Sequence, residues 1–396
     1  MSAPLGLAII GTNWISNSFV QSSHESTKFQ LKAVYSRSID SATRFISQTP
    51  SIKDISSVRA YDSLDKMLTG SEVGVVYIAS PNSLHYEHGI KSLTAGKHII
   101  VEKPFVSNAD EVRGLYKLAD AKGLCVIEAW RHIQEPNFLK LQSLLDDEKA
   151  REDKFGRIYG ANISLAVYNP EYAKTPEDGK EANIVLPKFS GGCLWDVGCY
   201  SVAFIFALFG TPASQTYFPV IIRTGVDGGG NIIFQYTAES SKHKQKFVVH
   251  AQSSKLYVSH TPTEIYCEKG TIRINGVSSI TEINTIEFIP HGQTTGEEFA
   301  NATPEYSSLL NLTWEAREFG RIIQEGDKKA EARLRDLSLD ILIAMEDMRK
   351  NNGIFFDSDK STKKKKSKPV LILSIRSETL QSTTSSSTMS DSMIEL

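Results

Sequence analysis

Residues 5–19 read LGLAIIGTNWISNSF. An apolar run of strand length stops at Gly11, and a segment with helical spacing follows. A dinucleotide-binding turn begins this way, but its Gly-x-Gly-x-x-Gly pattern needs three glycines. The first allows the tight turn, the second lets backbone approach the pyrophosphate, and the third lets helix pack on strand. Here the three positions are Gly11, Asn13 and Ser16. Asn tolerates left-handed backbone better than most non-glycine residues, and Ser16 is small. The loop Gly11, Thr12, Asn13, Trp14 and Ile15 therefore stays a candidate phosphate cradle, with N–H groups of the following helix facing the ligand.

The pattern repeats over the first 130 residues. LKAVYS, VGVVYIAS, HIIVEK and LCVIEA are continuous apolar runs, as in strands buried on both faces of a parallel sheet. Helical stretches separate them. One is expected from Ser107 to Lys122, capped by Ser107 with Asp110 and stopped by Gly123. Strand–helix units of this length imply right-handed crossovers and a doubly wound sheet of order 3-2-1-4-5-6. After about residue 150 the pattern changes to GRIYGANISLAVYN, TYFPVIIRT, NIIFQYTA, QKFVVHAQ, KLYVSHT, TEIYCEKGTIRING and INTIEFIP. Turn signals at Asp227–Gly230 and Asn275–Gly276 make this a mainly antiparallel sheet. Helices are expected from Thr303-Pro304 to Gly326 and from about Leu334 to Arg349. The fold class is α/β: a Rossmann unit over 1–130, an α+β unit over 131–352, and a Lys/Ser-rich disordered tail over 353–396.

The chain has 396 residues and a formal net charge of −2, so no global field attracts nucleic acid. No apolar run approaches the roughly 20 residues that cross a bilayer. The four cysteines show no Cys-x-x-Cys spacing, which fits a reducing compartment such as the cytoplasm. Lys363 to Lys366 read as a solvated charge run, with nuclear import the alternative. Clustered His, Cys or carboxylate residues with metal-ligand spacing are absent from the sequence.

The end of the second strand separates two cofactors. NAD is met there by a carboxylate on the ribose hydroxyl. This chain has Tyr35-Ser36-Arg37-Ser38 instead. Ser36 and Ser38 can donate to a 2′-phosphate, and Arg37 can pair with it or stack on adenine. The reading is NADP in preference to NAD. Farther on, a strand ends in Glu102-Lys103-Pro104, at the sheet edge where a ligand lies. Later still, Asp196 and Tyr200 stand four apart at the start of an apolar helix, on one face.

With SPNSLHYEHGIKSLTAGKHIIVEKP at 80–104 and GGCLWDVGCY at 191–200, residues 5–350 resemble the glucose-fructose oxidoreductase, inositol dehydrogenase and rhizopine-catabolism (Gfo/Idh/MocA) oxidoreductases. The resemblance implies a Rossmann domain followed by an open-sheet domain that pairs with a second copy. It makes Lys103 the catalytic lysine and Asp196 the acidic residue of the second motif. Tyr200 stands where many relatives have histidine, as in the branch of glucose-fructose oxidoreductase, dimeric dihydrodiol dehydrogenase and NADP-dependent D-xylose dehydrogenase, where a tyrosine is acid–base. A free phenol is a poor base at neutral pH, and a nearby ammonium favours its ionised form. The resemblance places Ser80, Asn82, His85, Glu102 and Arg131 around the cofactor.

The chain departs from the family at two of the three glycines and at the arginines that relatives carry before the second motif. A neutral substrate follows. The expected activity is NADP-dependent hydride transfer with a sugar, polyol or trans-dihydrodiol, in a homodimer or higher oligomer. The rival reading is a catalytically silent NADP-binding regulator of the same fold, which has no need of the Lys103 and Tyr200 pair.

Overall fold

The computed structural model describes residues 3–177, 179–275, 279–301, 310 and 312–360. The first unit holds β1 (Leu5–Ile10), α1 (Trp14–Glu25), β2 (Phe29–Tyr35), α2 (Ile39–Gln48), β3 (Arg59–Tyr61), α3 (Leu64–Leu68), β4 (Val75–Ile78), α4 (His85–Thr94), β5 (His98–Glu102), α5 (Ala109–Lys122) and β6 (Val126–Ala129). All six strands pair in parallel, in the order β3-β2-β1-β4-β5-β6. The order reverses between β1 and β4, which opens a crevice at their carboxyl ends. β3 is only Arg-Ala-Tyr, too short to show alternation in the sequence, and it is held as an edge by β2 alone.

Two helix details differ from the sequence reading. Asn108, not Ser107, caps α5: its Oδ1 accepts from Glu111 N at 3.0 Å, and Glu111 Oε2 accepts from Ser107 N at 3.0 Å. The capping box is thus Asn108 with Glu111. Gly123 ends the helix at φ +66°, as its type predicts.

The second unit begins with α6 (Pro136–Asp146), α7 (Glu148–Lys154), β7 (Ile158–Ala166) and α8 (Pro170–Ala173). It continues through α9 (Cys199–Phe209), β8 (Ser214–Ile221), β9 (Asp227–Tyr236), β10 (Phe247–Ser254), β11 (Thr263–Cys267), β12 (Gly270–Ile274), β13 (Thr285–Pro290) and β14 (Glu297–Asn301). The eight strands follow the order β14-β13-β12-β11-β7-β10-β9-β8, antiparallel except where β7 meets β10. One face is packed: Tyr217, Ile232, Phe234, Val249, Ile265 and Ile272 point into the core beneath α9, every residue of which is buried.

Here the structure corrects several expectations. Asp227–Gly230 is not a turn but the start of β9. A Cβ on Gly230 would lie 2.5 Å from Phe218 O, so these glycines serve close approach between strands. The turn itself is at Gly225, φ +84°. KLYVSHT is not a strand: β10 ends at Ser254, and Val258 is exposed. β11, not this segment, takes the place beside β7. β14 was unread because Glu-Glu-Phe-Ala-Asn has little strand character of its own and forms by pairing with β13. Pro187–Phe209 is long and apolar enough by composition to cross a bilayer, contrary to the expectation, but it is buried inside the protein as a core segment.

The expected helix start at Thr303-Pro304 lies outside the described residues. A helix spans Thr313–Glu325 and ends at Gly326, and the long helix Lys328–Asn351 starts earlier than expected, capped by Asp327. Phe319 and Ile322 of the former pack with Leu7, Phe19 and Phe29, so the chain returns to the first unit. Residues 353–360 are not part of a loose tail. Ile354 and Phe356 are buried, and Asp359 pairs with the buried Arg349 at 2.6 Å. The Lys363–Lys366 run and the rest of the expected tail lie outside the described residues.

Candidate active site

The turn after β1 works by a different device from the one its sequence suggested. Gly11 has φ +102°, and a Cβ there would stand 2.5 Å from Ala79 O. Asn13 is not left-handed; it is extended at φ −91°, ψ −179°, and caps α1. Its Oδ1 accepts from Ser16 N at 3.0 Å, and its Nδ2 donates to Ala79 O at 2.9 Å. The asparagine thereby ties the loop to the end of β4, where a second glycine would leave it loose. Ser16 is fully buried, so helix and strand pack closely. Thr12, Asn13 and Trp14 (75 % exposed) line a surface cavity of about 560 Å³ together with Ser41 and Arg44; Ile15 is partly buried beside it.

At the end of β2, Ser36 N donates to Tyr61 O at 3.1 Å, and Ser38 Oγ caps α2. Arg37 is exposed and makes no hydrogen bond or ion pair among the described residues. At the end of β4, Ser80 Oγ meets His88 Nδ1 at 2.9 Å, and Asn82 Nδ2 donates to Ser190 O at 3.2 Å. His85 is not available to a cofactor through its ring. It is buried, with Nε2 2.7 Å from Ser80 O and Nδ1 3.1 Å from both Pro104 O and Phe105 O. It fastens the loop after β5 to the end of β4, and burial lowers its pKa. Trp195 likewise packs, buried against Phe356, with Nε1 donating to Val106 O.

β5 ends in Glu102 and Lys103, joined to Pro104 by a cis peptide bond. The Glu102 carboxylate turns inward to accept from Tyr77 Oη and from Lys103 N, and burial raises its pKa. Lys103 points the other way. Its Nζ donates to Asp196 O at 2.9 Å, stands 3.9 Å from Asp196 Oδ1, and lies 4.5 Å from the centre of the Tyr200 ring. Burial alone would lower the Lys103 pKa, but Tyr200, Cys199, Asp196 and Glu102 outweigh it, and the net shift is upward. Lys103 is therefore an ammonium at neutral pH, a donor and not a base.

Asp196 and Tyr200 are presented by a π turn, Leu194–Gly198, that runs directly into α9. Such wide turns are a common device at functional sites. Two glycines make its entry possible. A Cβ on Gly191 would stand 2.4 Å from Ile184 O, and one on Gly192 would stand 2.5 Å from Asp227 Oδ1. Asp227 Oδ2 accepts from Leu194 N at 2.6 Å and from Tyr217 Oη at 2.7 Å, which anchors the start of the turn. Burial pushes its pKa up to about 6.

The model of an oxidoreductase family with an NAD-binding Rossmann fold matches residues 5–130, and that of the GFO/IDH/MocA C-terminal domain matches residues 140–273. The chain belongs to the Gfo/Idh/MocA oxidoreductases. Among proteins of this family it is 31 % identical to scyllo-inositol 2-dehydrogenase (NADP(+)) IolU of Bacillus subtilis over 89 % of its own length and 99 % of that protein. It is 27 % identical to the mouse trans-1,2-dihydrobenzene-1,2-diol dehydrogenase over 89 % of its length and 98 % of that protein. The structure of KijD10, a 3-ketoreductase from Actinomadura kijaniata in complex with NADP, has the same fold at a TM-score of 0.66 and 18 % identity, covering 88 % of this chain and 97 % of that one.

Sequence reasoning missed three residues of this Gfo/Idh/MocA site. Arg131 is not one of the three: expected near the cofactor, it meets the phenol oxygen, its Nε donating to Tyr200 Oη at 3.5 Å, and its Nη1 stands 3.8 Å from Glu282 Oε1. Lys103 therefore covers the ring face while Arg131 covers the oxygen. His132, unremarked before, holds Tyr200 O through Nε2 at 3.1 Å. Lys255 and Tyr172 both reach Asp196 Oδ2, each at 3.3 Å. Their signal was absent because they come from the end of β10 and from α8, remote from both motifs.

Proposed function

We propose that this protein is an NADP-dependent dehydrogenase acting on a neutral polyol, sugar or trans-dihydrodiol, with Lys103 and Tyr200 as its acid–base pair. The convergence of the Lys103 ammonium, the Tyr200 phenol and the Arg131 guanidinium at the carboxyl ends of β5 and β6 carries this reading. The residues fit the cofactor. Gly11 makes a tight turn that a Cβ would block, α1 begins directly after it, and Arg37 is exposed with no hydrogen bond or ion pair among the described residues at the end of a strand without a terminal carboxylate. The inositol relative is named for NADP(+), which favours the phosphorylated cofactor, and the names of both the inositol and dihydrodiol relatives favour a polyhydroxylated substrate.

When bound, NADP supplies the nicotinamide carbon that accepts the hydride. Lys103 donates to the substrate hydroxyl oxygen and stabilises the charge that grows on it. As a phenolate, with the Arg131 guanidinium beside its oxygen, Tyr200 takes the hydroxyl proton as the C–H bond breaks and becomes the neutral phenol. In reduction Tyr200 returns that proton. Among the cations here, Lys255 faces Asp196 and Arg131 faces Glu282, so the surroundings suit an uncharged substrate.

The test is NADPH formation at 340 nm with cyclitols, aldoses and trans-dihydrodiols, beginning with scyllo-inositol. Turnover of one class, faster with NADP than NAD, is expected. Tight NADP binding with no turnover across the panel would overturn the enzymatic reading in favour of a regulator. We also propose pairing with a second copy through the open face of the large sheet. Phe218, Val220, Val248 and Tyr266 are exposed there, an apolar set that a monomer would leave in water.

A further inference from the structure

Asp196 is held from two sides. One oxygen, Oδ1, stands 3.9 Å from Lys103 Nζ, too far for a hydrogen bond. The other, Oδ2, accepts from Tyr172 Oη at 3.3 Å and faces Lys255 Nζ at 3.3 Å. Lys103 meanwhile donates to the Asp196 backbone carbonyl at 2.9 Å. The carboxylate is thus drawn toward Lys255 and away from a contact pair with Lys103.

Lys255 is placed for this role by its own backbone. Its N–H donates to Gly228 O at 2.9 Å, and its C=O accepts from Asn169 N at 2.9 Å. It is the last position stitched to β9 before the chain leaves the sheet, so the side chain starts from a fixed point. That side chain is only 13 % exposed, and an ammonium so placed needs an anion beside it. The other ionisable groups facing Asp196 are Cys193 and Cys199 from its own segment, Asp227 from β9 and Tyr172 from α8. None of them carries positive charge. Lys103 is faced by Glu102 and Tyr200, and Tyr200 also by Arg131.

We propose that Lys255 is a positioning residue: by engaging the outer oxygen of Asp196 it keeps the Lys103 ammonium free to donate to the substrate. The inference rests on the catalytic reading of Lys103 and Tyr200. Without Lys255, the only cation left to Asp196 among the described residues is Lys103, which then closes onto the carboxylate and turns from the reacting oxygen.

The experiment compares K255M, K255R and K103M with the parent enzyme, reading kcat and KM for alcohol oxidation from pH 6 to pH 10 and NADP affinity by fluorescence. K255Q replaces K255M should the latter not fold. For K255M, kcat is expected to fall about 10-fold while KM changes little, because the interaction lost acts through Lys103 on the reacting oxygen. NADP affinity should be unchanged, and K255R should recover most of the rate. A K255M enzyme with the parental kcat, or a loss that K255R does not repair, would overturn the inference while K103M remains inactive. A fully active K103M would overturn the catalytic reading and this inference with it.

Discussion

The ammonium of Lys103 lies 4.5 Å from the centre of the Tyr200 ring, across the boundary between the two units of the fold. Lys103 comes from the end of a parallel strand and Tyr200 from the first turn of a buried helix beneath the antiparallel sheet. The phenol oxygen is left to Arg131, which follows β6. In the proposed mechanism three elements share the chemistry: the lysine for the substrate oxygen, the tyrosine for the proton, and the arginine beside the tyrosine oxygen.

Substituting either partner should separate chemistry from binding. K103M and Y200F are each expected to lower kcat by about 10²–10⁴-fold, the usual range for a positioned acid–base group. NADP affinity, read by fluorescence titration, should change little. Steady-state kinetics of the two variants and of the double variant check this, and the losses should be far from additive because the pair acts as a unit.

Arg37 should set cofactor choice. It has no competing partner among the described residues, so R37A removes a charge that is free to meet a 2′-phosphate. The KM for NADP is expected to rise about 10-fold or more, the order of one charge-assisted bond, while that for NAD stays nearly constant. R37D should invert the preference. Parallel kinetics with both cofactors read the result.

Gly11 should not tolerate a side chain. G11A adds a Cβ 2.5 Å from Ala79 O at a φ of +102°. A loss of about 2 kcal/mol or more is expected from strain and clash together. Denaturant midpoints measure it, and NADP affinity should fall in the same variant because the turn must open.

One buried carboxyl should lower stability as pH rises from mild acid to pH 8. Glu128 is 4 % exposed, accepts from Phe105 N at 2.8 Å, and burial pushes its pKa up to about 8. From the ordinary glutamate value up to pH 8, the folded chain holds a proton that the unfolded chain has released. Stability from this group is therefore complete at low pH and is lost as pH rises toward 8, with a slope of up to about 1.4 kcal/mol per pH unit. E128Q keeps the shape without the titration, so its melting temperature should fall less than the parent's between pH 5 and pH 8.

The open sheet face should carry the subunit contact. V248K places a charge on the exposed sheet face that also carries Phe218, Val220 and Tyr266, without touching the buried face. Light scattering after size exclusion should show a smaller species than the parent, with the fold retained. An unchanged mass in both V248K and F218K would remove this face as the interface.

The parallel sheet, its strand order and the helix over 109–122 were legible because buried strands and capped helices announce themselves by local periodicity. The glycine run at 228–230 misled for a physical reason. Glycine serves a turn and a crowded strand equally well, and only the neighbouring strand, with Phe218 O in the way, distinguishes them. Asn13 misled similarly: the residue type permits left-handed backbone, but the cap on α1 and the bond to Ala79 O won. His85 shows the converse. Its position near the cofactor crevice was readable, while its three carbonyl partners come from segments that meet only in the fold.

By itself, the amino-acid sequence determined the two-unit architecture and singled out Lys103, Asp196, Tyr200 and Arg37, because their motifs sit at the ends of elements defined by short-range patterns. Only the tertiary structure decided which groups touch them: Arg131 at the phenol oxygen, and Lys255 and Tyr172 at the carboxylate. The reason is physical. Periodicity fixes which way a side chain leaves its own strand or helix, whereas electrostatic partnership depends on how separate elements pack, and nothing local in the chain records that distance.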